Sequence, residues 1–201
     1  MNKINYDVQM QNLINSLNGA KPKLLLHACC APCASSCVER LKENFSVTLF
    51  FYNPNMDTQA EYDKRAKEII KLAEYFGVDY LIEDYDKQSF YGAVAGFEKE
   101  KEGGSRCQKC FGLRLGKTAK TCANLNYEYF ATTLTVSPLK NAEMINQTGQ
   151  DLASENQTKY LVSDFKKRNG YLRSIELSNN LNIYRQSYCG CEFSKIQKQI
   201  L

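Results

Sequence analysis

The chain has 201 residues, 43% of them hydrophobic and 24% charged, and carries a net charge of +4. That length allows one domain with a sizeable core and is short for two. The composition excludes disordered and collagen-like chains, and the charge permits an anionic partner without the strong basic signature of a dedicated nucleic-acid binder.

Tyr6, Met10, Leu13, Ile14 and Leu17 recur at helical spacing and predict an amphipathic N-terminal helix. After the break at Lys21-Pro22, the apolar run Lys23 to His27 reads as a buried strand. A helix is expected from Pro32, which suits the first helical position, to about Lys42. Ser46 to Tyr52 is rich in strand formers, and Asn53-Pro54-Asn55 is a turn. A long helix is expected from Gln59 to Phe76, stopped by Gly77, then a short strand from Asp79 to Ile82. Tyr85 to Glu102 reads as helical up to Gly103-Gly104, Phe111 to Leu125 as a further helix, and Glu128 to Leu134 as a fourth strand. Asn141 to Glu155 is helical, 156–180 is mixed and polar, and Leu181 to Tyr188 leads into the last cysteine pair.

Alternating strands and helices imply an α/β fold, a parallel sheet flanked by helices on both faces. The expected division is an N-terminal helix over 1–20, packed on a single metal-binding catalytic domain over 21–201. Met1-Asn2-Lys3-Ile4-Asn5-Tyr6-Asp7 contains no apolar signal region, and the longest apolar stretch is interrupted by His27 and too short to span a bilayer. The expectation is a cytoplasmic protein with reduced thiols and no membrane association.

Nine cysteines are present, and seven of them fall into three clusters: Cys29-Cys30-Ala31-Pro32-Cys33, Cys107-Gln108-Lys109-Cys110 and Cys189-Gly190-Cys191. Clustered thiols in a reducing compartment point to metal or redox chemistry rather than to staples. The first cluster follows the first strand directly, where a parallel sheet binds its ligands. A helix start there favours the thiolate form that binds metal. One four-iron cluster or one zinc takes four ligands, so seven thiols imply either a second metal or a redox pair such as Cys189 with Cys191. Spacing leaves two alternatives open: a non-catalytic zinc-stabilised RNA-binding module, or another cysteine-based redox enzyme. Cys37 and Cys122 lie on apolar helix faces and read as core thiols. The single histidine, His27, reads as a structural hydrogen-bonding group near the site. No Gly-rich phosphate loop follows the first strand, so a bound nucleotide has no support in the sequence.

Several runs appear together and in order. They are Leu26 to Cys33, Phe51-Tyr52-Asn53-Pro54-Asn55, Arg106 to Cys110, Thr135 to Lys140, Phe165-Lys166-Lys167, Gly170 to Ser178 and Tyr184 to Cys191. Over residues 22–194 the chain resembles the epoxyqueuosine reductase family QueH. The resemblance implies reduction of epoxyqueuosine to queuosine at the wobble position of tRNA, the last step of queuosine biosynthesis, without cobalamin. It implies a Rossmann-like fold related to ATP-using tRNA-modifying enzymes, with cysteines in place of the phosphate loop. It also implies a [4Fe-4S] cluster on Cys29, Cys30, Cys107 and Cys110. Cys189 and Cys191, joined by Cys33, become the redox pair, closed as a disulfide, or the ligands of a second metal ion, iron or zinc. Some members carry Asp at the position of Cys33, so the position calls for an anionic ligand. The expected partners are a tRNA with a queuosine-type anticodon and an electron donor such as a ferredoxin or flavodoxin. Tyr188 or a water is the candidate proton source. Lys166, Lys167 and Arg168 are candidate phosphate contacts, with Arg173 and Arg185 behind them, and Asn53 and Asn55 are candidate substrate contacts.

Overall fold

The computed structural model describes residues 4–199, with side chains to residue 196. The expectations for residues 1–3 and 200–201 lie outside that range. Helix α1 spans Tyr6–Ser16 and is capped by Asn5, whose side chain accepts the Val8 amide at 3.2 Å. Its Met10 is fully buried in the larger hydrophobic cluster, with Leu24 and Leu26 of the first strand. Asp7 fixes the helix further through Arg40 at 2.5 Å and Arg168 at 2.9 Å.

The remaining elements are β1 (Lys23–His27), α2 (Ala31–Leu41), β2 (Ser46–Phe51), α3 (Gln59–Phe76), β3 (Asp79–Ile82), α4 (Lys87–Val94) and α5 (Ser105–Asn124). They continue with β4 (Tyr129–Thr132), α6 (Ala142–Glu155), β5 (Lys159–Tyr160), α7 (Gly170–Asn180) and α8 (Glu192–Gln199). The five strands form one parallel sheet in the order β3-β2-β1-β4-β5. Side chains alternate across a strand, so β1 sends Leu24 and Leu26 to one face and Leu25 to the other. All three are fully buried, because helices cover both faces of the sheet. Each such leucine contributes about 1.5–3 kcal/mol. Among the described residues no helix is long and apolar enough to cross a membrane.

The winding reverses between β1 and β4. The chain steps outward through α2, β2, α3 and β3, then returns through α4 and α5 to lay β4 on the other side of β1. A crevice opens at such a reversal, beyond the carboxyl ends of the two strands. His27 pairs with Thr132 there.

Four expectations change. The helix expected over Tyr85 to Glu102 is confined to Lys87–Val94, because Gly96 and Gly103 take left-handed φ values of 82° and 90°. Helix α5 begins at Ser105 rather than Phe111, which puts Cys107 and Cys110 on its first turns. The stretch 156–180 holds a two-residue strand and the eleven-residue helix α7. The fourth strand also ends early, at Thr132, where the chain turns into a short 3-10 turn over Thr133–Val136.

Candidate metal centre

Helix α2 starts at the crevice. Cys30 is its N-cap residue in extended conformation and Pro32 lies in its first turn. This brings the Sγ atoms of Cys29, Cys30 and Cys33 within 4.8 Å of one another, with Cys29 and Cys30 3.9 Å apart. Cys33 was grouped with Cys189 and Cys191 on the resemblance. The helix turn places it beside Cys29 and Cys30, and it also shares a cavity wall with Cys189. Thr133 locks the group from the 3-10 turn after β4: its hydroxyl accepts the Cys29 amide at 3.1 Å and donates to the Cys29 sulfur at 3.3 Å.

Charge concentrates on Cys29. Hydrogen bonds from Cys30 and Cys33 hold its thiol well below the usual range against the cost of burial, and Lys140 and Arg114 add to the effect. Cys30 is pushed up to about 11 by its bond to Cys29 and by burial. Burial lowers the pKa of Lys140, but Cys189, Cys29 and Cys33 outweigh it and hold the ammonium charged. His27 is fully buried, with Nδ1 2.8 Å from Thr132 Oγ1, and burial drops its pKa to about 3. It is a neutral structural group, as its single occurrence at a strand end suggested.

The second and third cysteine clusters approach from α5 and α8. The Gly103 amide donates to the Cys107 sulfur at 3.2 Å, and the Ser194 amide to the Cys191 sulfur at 3.4 Å. Cys110 and Cys191 are buried, which pushes their thiols up to about 11 and about 12. Gly190 sits between Cys189 and Cys191 at φ 120°, where a Cβ would meet Met56 Sδ at 2.6 Å. The carbonyl of Cys189 accepts Arg65 Nη1 at 3.3 Å and that of Gly190 accepts the Asp57 amide at 2.9 Å. All nine cysteines are free thiols, so Cys189 and Cys191 are not joined by a disulfide here.

Two hollows meet at these thiols. A cavity of about 300 Å³ is lined by Cys29, Cys30, Cys33 and Cys189, with Lys140 and Tyr188 in its wall. A void of about 20 Å³ is lined by Cys107, Cys110, Cys189 and Cys191. Cys189 belongs to both, and Cys29 and Cys107 pack against one apolar patch that contains Phe111, Leu115 and Leu134. The structure therefore brings all seven clustered cysteines to the crevice. Cys37 and Cys122 are fully buried in the core.

Thiolate sulfur accepts hydrogen bonds and does not donate them. Around these thiols lie buried donors without partners: Asn55 Nδ2, Arg106 Nη2, and Arg114 Nε and Nη1. A set of seven thiols ringed by unpaired donors fits a negatively charged sulfur-ligated metal centre. Lys140, Arg65, Arg114 and Thr133 complete the surroundings and were not singled out from sequence. Only the run Thr135 to Lys140, noted for its resemblance, pointed toward Lys140.

Asn53 and Asn55 are both buried. Asn53 donates to the Ala28 carbonyl at 2.9 Å and accepts from Arg114, so it braces the loop that carries Cys29 rather than facing solvent. Of the basic run, Lys166 pairs with Asp164 at 2.7 Å and Arg168 with Asp7 at 2.9 Å, leaving Lys167 exposed. Lys166 and Lys167 line a groove of about 580 Å³ that shares Pro138 and Lys140 with the cysteine cavity. Arg173 is tied to Glu39 at 2.6 Å, and Arg185 lies 5.8 Å from the Tyr171 ring at the cavity wall.

A doubly wound sheet with thiols at its switch point, where such folds otherwise cradle a phosphate, defines an α/β protein whose clustered cysteines could hold a metal. Residues 24–197 match the family model described as epoxyqueuosine reductase QueH, and the chain belongs to that family. It is 42% identical over 200 residues to the epoxyqueuosine reductase QueH of Streptococcus pyogenes serotype M1, covering 96% of this chain and 78% of the other. It is 34% identical over 179 residues to that of Thermotoga maritima, covering 88% and 92%. Among solved structures it resembles the U34-tRNA thiolase NcsA of Methanococcus maripaludis, determined with its [4Fe-4S] cluster. The TM-score is 0.51 at 11% identity, over 96% of this chain and 72% of that one, and shows a shared fold.

Proposed function

We propose that this protein reduces epoxyqueuosine to queuosine in the anticodon of tRNA, in the cytosol and without cobalamin. Membership of the QueH family supports the substrate. The observation that carries the chemistry is the meeting of seven thiols from three segments at the switch point. In this reading Cys29, Cys30, Cys107 and Cys110 hold a [4Fe-4S] cluster, consistent with the shared packing of Cys29 and Cys107. Cys33, Cys189 and Cys191 would hold a second ion, iron or zinc, beside the cavity that Cys33 and Cys189 line. When bound, these groups supply single electrons and a Lewis acid.

The reaction adds two electrons and two protons to the epoxide and releases an alkene and water. The chain's own residues prepare it. Lys140 holds a positive charge at the cavity wall, where the epoxide oxygen develops negative charge as its bond to carbon breaks. The Tyr188 hydroxyl, in the same wall, donates to Asp57 at 3.0 Å, and burial raises its pKa, which keeps its proton in place at neutral pH. It is the proton source in this reading. The substrate base leaves the anticodon stack to enter, with Tyr171 and Arg185 offering flat surfaces at the cavity wall. Lys167 and Lys166 take backbone phosphate in the adjoining groove. In this reading a separate protein, such as a ferredoxin or flavodoxin, supplies the electrons.

The test is nucleoside mass spectrometry of tRNA from a strain lacking its own epoxyqueuosine reductase and complemented with this chain. Queuosine is expected to return. Epoxyqueuosine persisting beside a folded, metal-loaded protein refutes the reading. A colourless chain holding zinc alone after anaerobic reconstitution favours the zinc-stabilised module instead.

A further inference from the structure

Asn55 is 1% exposed, yet neither its Nδ2 nor its Oδ1 has a hydrogen-bond partner. An unpaired buried amide costs about 1–3 kcal/mol for each group left unmatched. Its neighbour in the turn shows what a satisfied asparagine looks like here: Asn53 uses both ends of its amide, on Ala28 and Arg114. Turn formation does not account for Asn55, because the turn is already closed by the Met56 amide on the Asn53 carbonyl at 3.2 Å.

The surroundings identify the missing partner. Asn55 lines the small void together with Cys107, Cys110, Cys189 and Cys191. Arg106 lines the same void, is 2% exposed, and has Nη2 without a partner. Its Nη1 is engaged by the Glu98 carbonyl at 2.8 Å, and its guanidinium lies 4.7 Å from the Phe193 ring, so the unpaired nitrogen has little freedom to turn away. Two buried donors are thus fixed around four sulfurs, two on α5 and two beside α8.

We propose that Asn55 and Arg106 donate hydrogen bonds to the ligand sulfurs at the boundary of the two metal centres, as positioning residues that set the reduction potential. The proposal rests on the metal-bound reading above. Hydrogen bonds to cluster or ligand sulfur stabilise the more negative, reduced state. Removing a donor therefore makes the centre harder to reduce. Asn55 is the cleaner probe, since Asn55→Leu alters no formal charge on the chain.

The anaerobically reconstituted full-length protein is compared with Asn55→Leu and Asn55→Asp for iron and sulfide content and for midpoint potential, followed by electron paramagnetic resonance. Both variants are expected to keep their iron and sulfide. Asn55→Leu is expected to lower the reduction equilibrium constant about tenfold, a potential about 59 mV more negative. Asn55→Asp, which replaces the donor with a carboxylate, is expected to lower it further. Exchangeable-proton couplings to the reduced centre, expected in the unsubstituted protein, should weaken in both variants. Unchanged potentials and couplings at full metal content overturn the proposal. So does loss of metal from both variants when their circular dichroism is unchanged, which makes Asn55 a scaffold rather than a donor. Absence of iron and sulfide from the unsubstituted protein refutes the cluster instead. The donor role is then decided with Co²⁺ as the bound metal, where Asn55→Leu is expected to weaken binding about tenfold and an unchanged affinity overturns it.

Discussion

Replacing Gly190 with alanine perturbs the junction of the two cysteine-lined hollows at one atom. The residue sits at φ 120°, a backbone region in which an L side chain costs about 1–3 kcal/mol. The added Cβ would lie 2.6 Å from Met56 Sδ and 3.3 Å from Arg65 Nη1. Met56 is fully buried, so its displacement strains the packing around it and adds a further ~1–3 kcal/mol. The expected loss is about 2–6 kcal/mol, a large share of the ~5–15 kcal/mol that holds a domain together. Urea unfolding of the metal-free protein, followed by circular dichroism, measures it. Metal content after reconstitution should fall in parallel, because Cys189 and Cys191 flank the strained residue. Gly92→Ala is the control. It lies in α4 with no heavy atom within 4 Å of the new Cβ and should gain up to about 1 kcal/mol. A Gly190→Ala loss below about 1 kcal/mol, with normal metal content, would falsify the geometry described for this turn.

Cys107→Ser should remove cluster iron, whereas Cys122→Ser, in the core, should retain it and cost less than about 2 kcal/mol in urea unfolding; equal iron loss from both contradicts the division between ligand and core thiols. Arg114→Leu removes a buried cation beside Cys110 and should weaken metal retention about 10–100-fold against a chelator. Burial alone would raise the Asp7 carboxyl, but Arg40 and Arg168 lower it below its usual value. The unfolded chain then binds the proton more readily than the folded one, so this contribution is present above about pH 4 and is lost as pH falls through the lowered value. Asp7→Asn should flatten that part of the acid unfolding curve, and an unchanged curve counts against the pairing.

What could be read in advance followed from local physics. The apolar run at β1 was legible as a strand because a parallel strand covered on both faces needs no polar alternation. Gly77 ended α3 as expected, at φ 64°. The start of α5 was not legible, because Gly104 supplies no side-chain cap and the first turn is polar. The cysteines announced themselves by clustering. Their companions did not: Arg65 and Arg114 lie on charged helices that read as solvent-facing, and Thr133 lies 104 positions from the thiol it holds. Asn55 was noticed, but as a substrate contact. Only burial without a partner separates it from Asn53, and burial is a property of the fold rather than of the turn.

The sharing of Cys189 between two hollows has a mechanical side. In the proposed arrangement one centre ties Cys30 to Cys107 and the other ties Cys33 to Cys189, positions roughly 75 and 155 residues apart. Each bound metal then acts on the unfolded chain as a long-range cross-link does. In the chain-entropy model a loop of ~100 residues is worth nearly 5 kcal/mol. Without metal, the Cys189-Gly190-Cys191 turn keeps its hydrogen bonds to Arg65, Asp57 and Ser194 and the packing of Cys191, but loses the long-range tie. Oxidative loss of the metals would thus loosen the segment that closes the substrate cavity, and the lifetime of the folded protein becomes tied to the state of the chemistry it performs.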